Sequence, residues 1–430
     1  MGRPIRVLLD VAQFGDVHAN PTLTYNRAGI HRVIEQTVRS LAAEPGVALT
    51  LCAREKTHAT IGFIEAHAEF QTLRFSPARR RHAYRLSARV LEQYARGGAH
   101  PPGALPLRVI NKLAVVTNQM LDARIGPERD MTPLRADVYH STVFALPNRR
   151  ARIRGARYFL TVYDTIPILF PRVSAEGVDR WLRDTLDTIT PDDHVLTISE
   201  HTKHDLLTLR PEIAPERVHV TLLAADPERF YPCRDAVRAA AVRMRYGIPD
   251  APYVLSVATL EPRKNLPHLM RTFAQVVRAE RLDDLHLVLT GSKGWHYDAI
   301  FEAAGDLRDV RERILFTGYV DDADLAPLYS GALAFVYPSL YEGFGLPPLE
   351  AMQCGTPVVT SNTSSLPEVV GDAGVMVDPR DTDALAQAIA DVYRDPALRA
   401  DLAARGLARA RQFTWARYAE QAAAAYRAAL

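Results

Sequence analysis

Cysteine is scarce: Cys52, Cys233 and Cys354 are the only three in 430 residues, and none stands in a CxxC or Cys/His spacing. That argues against a disulfide framework and a cysteine-based structural zinc site, and it suits a reducing compartment. Long apolar runs are missing too. The N-terminal IRVLLDV run is too short for a secretory core, and no later stretch reaches the roughly 20 residues of a membrane span. The expected address is the cytoplasm, soluble or peripheral to the membrane. Neither sign of charge dominates: 52 Lys and Arg against 50 Asp and Glu leave a formal +2, too weak a field to recruit nucleic acid. No GxGxxG follows the first strand of either half and no GxSxG elbow occurs, which disfavours a dehydrogenase and a serine hydrolase.

The chain is 47% hydrophobic and too long for one ordinary domain, so two are expected. Residues 5 to 11 read as a buried strand; after the long loop from Ala12 to Gly29, Ile30, Val33, Ile34, Thr37, Val38 and Leu41 recur at helical spacing. Short apolar runs at 47 to 51, 158 to 164, 194 to 199 and 218 to 223 alternate with helical stretches, the signature of a parallel sheet. Polar, Pro-containing text around 231 to 250 marks a boundary, and a second series starts at YVLSVATL and repeats at 286 to 291, 314 to 319, 332 to 338 and 356 to 361. The fold class is α/β, with two Rossmann-like domains facing a cleft: residues 1–235, residues 236–411, and a terminal helix over 412–430. Between 78 and 124, arginines interleave with Leu86, Val90, Leu91, Ile110, Leu113 and Val116. The pattern reads as a solvated helix face or, alternatively, as a basic amphipathic surface for an anionic membrane.

The densest chemistry is Tyr341-Glu342-Gly343-Phe344-Gly345-Leu346-Pro347-Pro348-Leu349-Glu350, directly after the strand ALAFVYP. Gly343 and Gly345 let backbone approach a ligand closely, and a proline-led helix start suits a diphosphate. Glu342, at the loop tip, is suited to accept hydrogen bonds from sugar hydroxyls, and Glu350, about a turn into the helix, from a ribose. Arg263 and Lys264 follow the first strand of the second half, where loops at strand carboxyl ends face a ligand crevice, and their charge suits a departing diphosphate. Asp322-Ala323-Asp324 and Asp381-Thr382-Asp383 have the spacing of a metal-binding Asp-x-Asp, but acids of a first helical turn account for both. No metal and no other cofactor is expected.

From 253 to 371 the segments VATLEPRKN, TGSKGW, FTGYVDDADLAPLYSGA, YPSLYEGFGLPPLEAMQCGTPVV and SSLPEVVGDAG resemble the retaining glycosyltransferases of family 4, which have the GT-B fold. The family's E-x7-E pattern falls on Glu342 and Glu350. The resemblance implies that Glu342 contacts the donor sugar, Glu350 the ribose, and Arg263 with Lys264 the diphosphate. Gly343, Phe344, Gly345 and Leu346 would hold phosphates and sugar through the backbone, and Gly291 would line the nucleotide pocket. In the first half, RAGIHRV resembles the glycine-led helix start at which the family's donor phosphate or acceptor approaches, nominating Gly29, and the resemblance implies that the terminal helix packs back on this half. DVYHSTVFALP nominates His140 near the reacting sugar, the ordinary alternative being a core histidine. TVYDTIP nominates Asp164 on the acceptor side, with Ser199 and Lys203 as lesser candidates. Tyr163 stands where the family often has His. The implied reaction is retaining and metal-independent: transfer of mannose or a related deoxyhexose to a glycan or lipid-linked glycan, as in bacterial surface-polysaccharide (lipopolysaccharide) assembly. GDP is the favoured donor base; UDP, dTDP and a non-catalytic nucleotide-sugar-binding subunit are the alternatives.

Overall fold

A computed structural model describes residues 3–15, 29–54, 57–76, 135–149 and 152–430. The basic stretch at 78 to 124, proposed above for membrane contact, lies outside them, as does most of the loop before Gly29.

The first half forms a seven-stranded parallel sheet: β1 (Ile5–Asp10), β2 (Val47–Cys52), β3 (Arg74–Ser76), β4 (Val138–Ser141), β5 (Arg157–Val162), β6 (His194–Thr197) and β7 (Val218–Val220), in the order β3-β2-β1-β4-β5-β6-β7. The second is a six-stranded parallel sheet: β8 (Tyr253–Val257), β9 (His286–Thr290), β10 (Ile314–Gly318), β11 (Ala334–Tyr337), β12 (Val358–Ser361) and β13 (Val375–Val377), ordered β10-β9-β8-β11-β12-β13. Helices cover both sheets. Accordingly β6, β11 and β12 are buried along their whole length, which is why they read as apolar runs without alternation, and β4 is buried throughout as well although two of its four residues are polar. In each sheet the strand order reverses beside the first strand, at β1/β4 and at β8/β11, and such switch points open a crevice at the strands' carboxyl ends.

The helices that frame this crevice are α1 (Ile30–Ala43), α2 (Ile166–Leu169), α3 (Glu200–Leu209), α4 (Leu266–Glu280), α5 (Asp322–Gly331), α6 (Leu346–Gln353), α7 (Leu366–Val370), α8 (Thr382–Arg394) and the terminal α9 (Trp415–Ala429). The chain crosses from the first sheet at Val220 to the second at Tyr253 and returns at its end. Ala419, Ala422, Ala423 and Tyr426 of α9 are buried in the same core as Leu9, Ile34, Val38 and Phe159 of the first domain. The run of alanines lets α9 lie close against α1. No helix among the described residues is long and apolar enough to cross a membrane.

Candidate active site

A cleft of about 330 Å3 lies between the two domains, lined from the first by Gly29, Arg32, Tyr163 and Asp164 and from the second by Lys264, Gly291, Glu342 to Pro347 and Glu350. The loop after β11 turns Glu342 into the end of the second sheet, where its carboxylate is surrounded by donors. Oε1 accepts from Lys264 Nζ at 2.7 Å, Tyr337 Oη at 2.8 Å and Ser339 Oγ at 2.7 Å, and Oε2 pairs with Arg263 Nη1 at 2.8 Å. Burial alone would push this carboxyl up; Arg263 and Lys264 overcome it and hold the group down at about 2. Oε1 is saturated, whereas Oε2 has one neighbour and keeps acceptor capacity.

The two cations divide their work. A single 3-10 turn, Pro262–Lys264, sends adjacent side chains in different directions: Lys264 lines the cleft, and Arg263 does not. The Arg263 guanidinium lies behind Glu342, bonded to Glu261 Oε1 and the Tyr341 carbonyl, each at 2.6 Å. Of the adjacent pair expected to face a diphosphate, the structure places only Lys264 on the cleft wall, while the Arg263 guanidinium is turned to the Glu342 loop.

Glu350 lines the cleft from inside α6, accepting from Tyr329 Oη at 3.0 Å. Burial pushes its carboxyl above the ordinary range, against the pull of Arg32 reaching over from α1. A raised carboxyl adds stability that is fully present below its unfolded value of 4.5 and is lost as pH rises through the folded value. Glu350→Gln is therefore expected to melt higher than wild type at neutral pH, with the gap closing below pH 4.5. Nucleoside-diphosphate affinity should meanwhile fall about tenfold or more, since an amide offers one acceptor oxygen where the carboxylate offers two. Melting curves from acid to neutral pH and titration calorimetry check the two halves.

Gly291 and Gly343 are glycines for steric reasons. A Cβ on Gly291, whose φ is +144°, would fall 1.9 Å from the Ala258 carbonyl oxygen at the end of β8. On Gly343 it would fall 2.5 Å from the Tyr163 carbonyl oxygen of the opposite domain. Phe344, Gly345 and Leu346 follow along the cleft wall into α6, and Gly29 starts α1 opposite them. Asp164, two residues beyond β5, faces the cleft with Oδ1 accepting from the Ile166 N–H at 3.0 Å. Burial raises its carboxyl, with Arg263 opposing.

His140 is elsewhere. Its ring is fully buried within the first domain, Nε2 at 2.7 Å from Thr161 Oγ1 and Nδ1 at 2.7 Å from Tyr426 Oη of α9. Burial pulls the imidazole down to about 3, so it is neutral, and it fastens the terminal helix to β4 and β5 rather than facing a sugar. Ser199 lies on the seam between domains, and Lys203 is not among the described residues that line the cleft. Of the two Asp-x-Asp elements, Asp381 caps α8 by accepting from the Ala384 N–H at 2.9 Å, and Asp322 pairs with Arg229 at 2.5 Å and Arg32 at 3.6 Å. Sequence reasoning missed this last group. Arg32, Arg229 and Asp322 line the cleft beside Glu350, and Arg32 stands three residues after Gly29, where the inner face of α1 would have exposed it.

Residues 241–409 match the family model described as Glycosyl transferases group 1. The O-antigen chain mannosyltransferase B of Escherichia coli is 38% identical over 291 residues, covering 67% of this chain and 74% of that protein. A GDP-mannose-dependent alpha-(1-6)-phosphatidylinositol monomannoside mannosyltransferase of Mycolicibacterium smegmatis is 34% identical over 180 residues, 40% of this chain and 46% of that one. Among solved structures, the sucrose-phosphate synthase of Thermosynechococcus elongatus superimposes with a TM-score of 0.63 over 99% of both chains at 21% identity, which speaks for the fold alone. A cleft between two parallel-sheet domains and the likeness to the E. coli enzyme over most of its length agree: the chain belongs to the group 1 glycosyltransferases and is a GT-B enzyme of that family.

Proposed function

We propose that the enzyme transfers mannose, or a related deoxyhexose, from a GDP-linked donor to a glycan or lipid-linked glycan acceptor, retaining the anomeric configuration and using no metal ion. The observation that carries the reading is Glu342 at the cleft, held ionised by Lys264 at 2.7 Å and Arg263 at 2.8 Å, with Asp164 of the other domain facing the same space. The sugar and base rest on the relatives, one an O-antigen mannosyltransferase by name and one GDP-mannose-dependent by name.

In this reading Lys264 and the amino end of α6 at Gly345 and Leu346 stabilise the charge that grows on the departing diphosphate. Oε2 of Glu342 accepts from a sugar hydroxyl, Glu350 holds the ribose, and Asp164 orients the acceptor hydroxyl while the phosphate oxygen takes its proton on the same face of the sugar. Cationic side chains offset the negative charge that a metal would otherwise neutralise.

A thermal-shift series with GDP, UDP, dTDP and ADP tests the donor, since a bound nucleotide raises the melting temperature by mass action. GDP is expected to give the largest rise. A larger rise with UDP or dTDP reassigns the base, and no rise with any removes the donor assignment. Turnover of GDP-mannose surviving EDTA, with an α-linked product by NMR, supports the metal-free retaining path; loss with EDTA or a β-linked product overturns it. The enzyme is further proposed to work at the cytoplasmic face of the membrane. Co-sedimentation with phosphatidylglycerol vesicles that weakens with salt is the expected sign, and no co-sedimentation at low salt removes this part.

A further inference from the structure

Glu368 lies on the short α7, just beyond the residues that hold the Glu342 loop. Its carboxylate reaches the other domain: Oε2 accepts from the Glu200 N–H at 2.8 Å and Oε1 from the His201 N–H at 2.7 Å. These are first-turn amides of α3, which have no partner within their own helix. The helix supplies its own cap for the next one, Ser199 Oγ accepting from the Thr202 N–H at 3.0 Å. An anion bonded to both remaining amides at a helix's positive end is a strong, charge-assisted contact, and here it spans two domains.

The same short segment grips the catalytic loop. Ser364 Oγ accepts from the Glu342 N–H at 2.9 Å, and Ser365 Oγ donates to the carbonyls of Glu342 at 2.9 Å and Phe344 at 2.7 Å. From the other side α3 grips that loop as well: Ser199 Oγ donates to the Gly343 carbonyl at 2.7 Å, and Tyr341 Oη donates to Asp205 at 2.6 Å. Residues 364–368, α3 and the Glu342 loop thus form a closed ring of hydrogen bonds that crosses between the domains at Ser199–Gly343, at Tyr341–Asp205 and at Glu368, the crossing made by a carboxylate on two backbone amides.

We infer that Glu368 is a positioning residue for the transfer: by capping α3 across the cleft it sets the Glu342 loop of the donor domain against Asp164 of the acceptor domain. It touches no substrate. Its effect belongs to the geometry of the reacting groups, so it should appear in kcat and spare nucleotide binding. The inference rests on the transferase reading and not on which base the donor carries.

Hydrogen–deuterium exchange on the full chain, wild type against Glu368→Ala and Glu368→Gln, reads this on the protein alone. Loss of the carboxylate is expected to speed exchange about tenfold at the Glu200 and His201 amides and also to raise it at the loop amides of Glu342 to Phe344, with the β8 and β9 amides unchanged. With the nucleotide sugar that wild type uses, kcat should fall about tenfold or more at a KM within about twofold, and Glu368→Gln, which keeps one acceptor oxygen, should fall between. Faster exchange in α3 with the loop amides as in wild type makes Glu368 a local cap and overturns the inference. So does a kcat equal to wild type, and so does a joint loss of nucleotide affinity and melting temperature, the mark of general destabilisation. Should the alanine variant fail to fold, the glutamine variant decides by the same comparisons.

Discussion

Glu342→Gln is expected to lower kcat by about a hundredfold to a thousandfold, while the dissociation constant for the nucleoside diphosphate changes by no more than about threefold. The substitution keeps shape and removes charge. Lys264 then retains Tyr337 Oη at 2.7 Å, but its remaining carboxylate neighbour is Glu261 at 3.9 Å, so the buried cation loses its close counter-ion. Stability should suffer too, by about 3 kcal/mol, the scale for breaking a buried pair from one side. The sign follows from the depressed carboxyl. A group at about 2 in the fold and 4.5 in the unfolded chain adds stability that is present above 4.5 and lost as pH falls toward 2. The stability gap between wild type and variant should therefore be constant at neutral pH and narrow below 4.5. Steady-state kinetics, calorimetry and denaturant melts at several pH values read the three effects. A variant with kcat within about threefold of wild type would remove Glu342 from the reaction.

The same residue shows what was legible beforehand. Glu342, Lys264 and Gly291 lie in loops that follow the ends of strands, and Glu350 lies in the helix that continues one of those loops; a strand read correctly delivers its loop to the crevice. Direction within a turn is another matter. Nothing in the order Pro262-Arg263-Lys264 says which of the two cations lines the cleft, because the choice is made by Glu261 and the Tyr341 carbonyl, which occupy the guanidinium. His140 shows the limit on a strand. β4 is buried on both faces, so no polar alternation separates a cleft-facing residue from a core one, and the deciding partner, Tyr426, is 286 positions away. Arg32 and Asp322 belong to different domains, and their pairing exists only once those domains meet. The edge strands β3 and β13 span three residues each, too short to carry any periodicity. Element type and the donor loop are thus local properties, whereas the seam between domains is a product of long-range packing.

At that seam Gly343→Ala is expected to cost on the order of a hundredfold in kcat, the scale on which a shift of about 1 Å disturbs aligned reacting groups. An ideal Cβ there would lie 2.5 Å from the Tyr163 carbonyl oxygen and 2.7 Å from the Asp164 Cβ. Neither can rotate aside as the end of a long side chain does: one is backbone and the other is fixed to it. The loop or the domains must therefore move, and the carbonyl of the same residue, which accepts from Ser199 at 2.7 Å and Thr202 at 3.1 Å, must move with them. Nucleotide affinity should change little, because Lys264, Gly291 and Glu350 all belong to the second domain and keep their places. Small-angle scattering should show a larger radius of gyration for the variant. Gly305→Ala serves as the control: it lies in a helix where an added Cβ meets nothing within 4 Å, and it should leave both kcat and scattering unchanged. If Gly343→Ala turns over like that control, the two domains do not meet at Gly343 during the reaction. Asp164 would then have to reach the sugar through a different arrangement of the cleft.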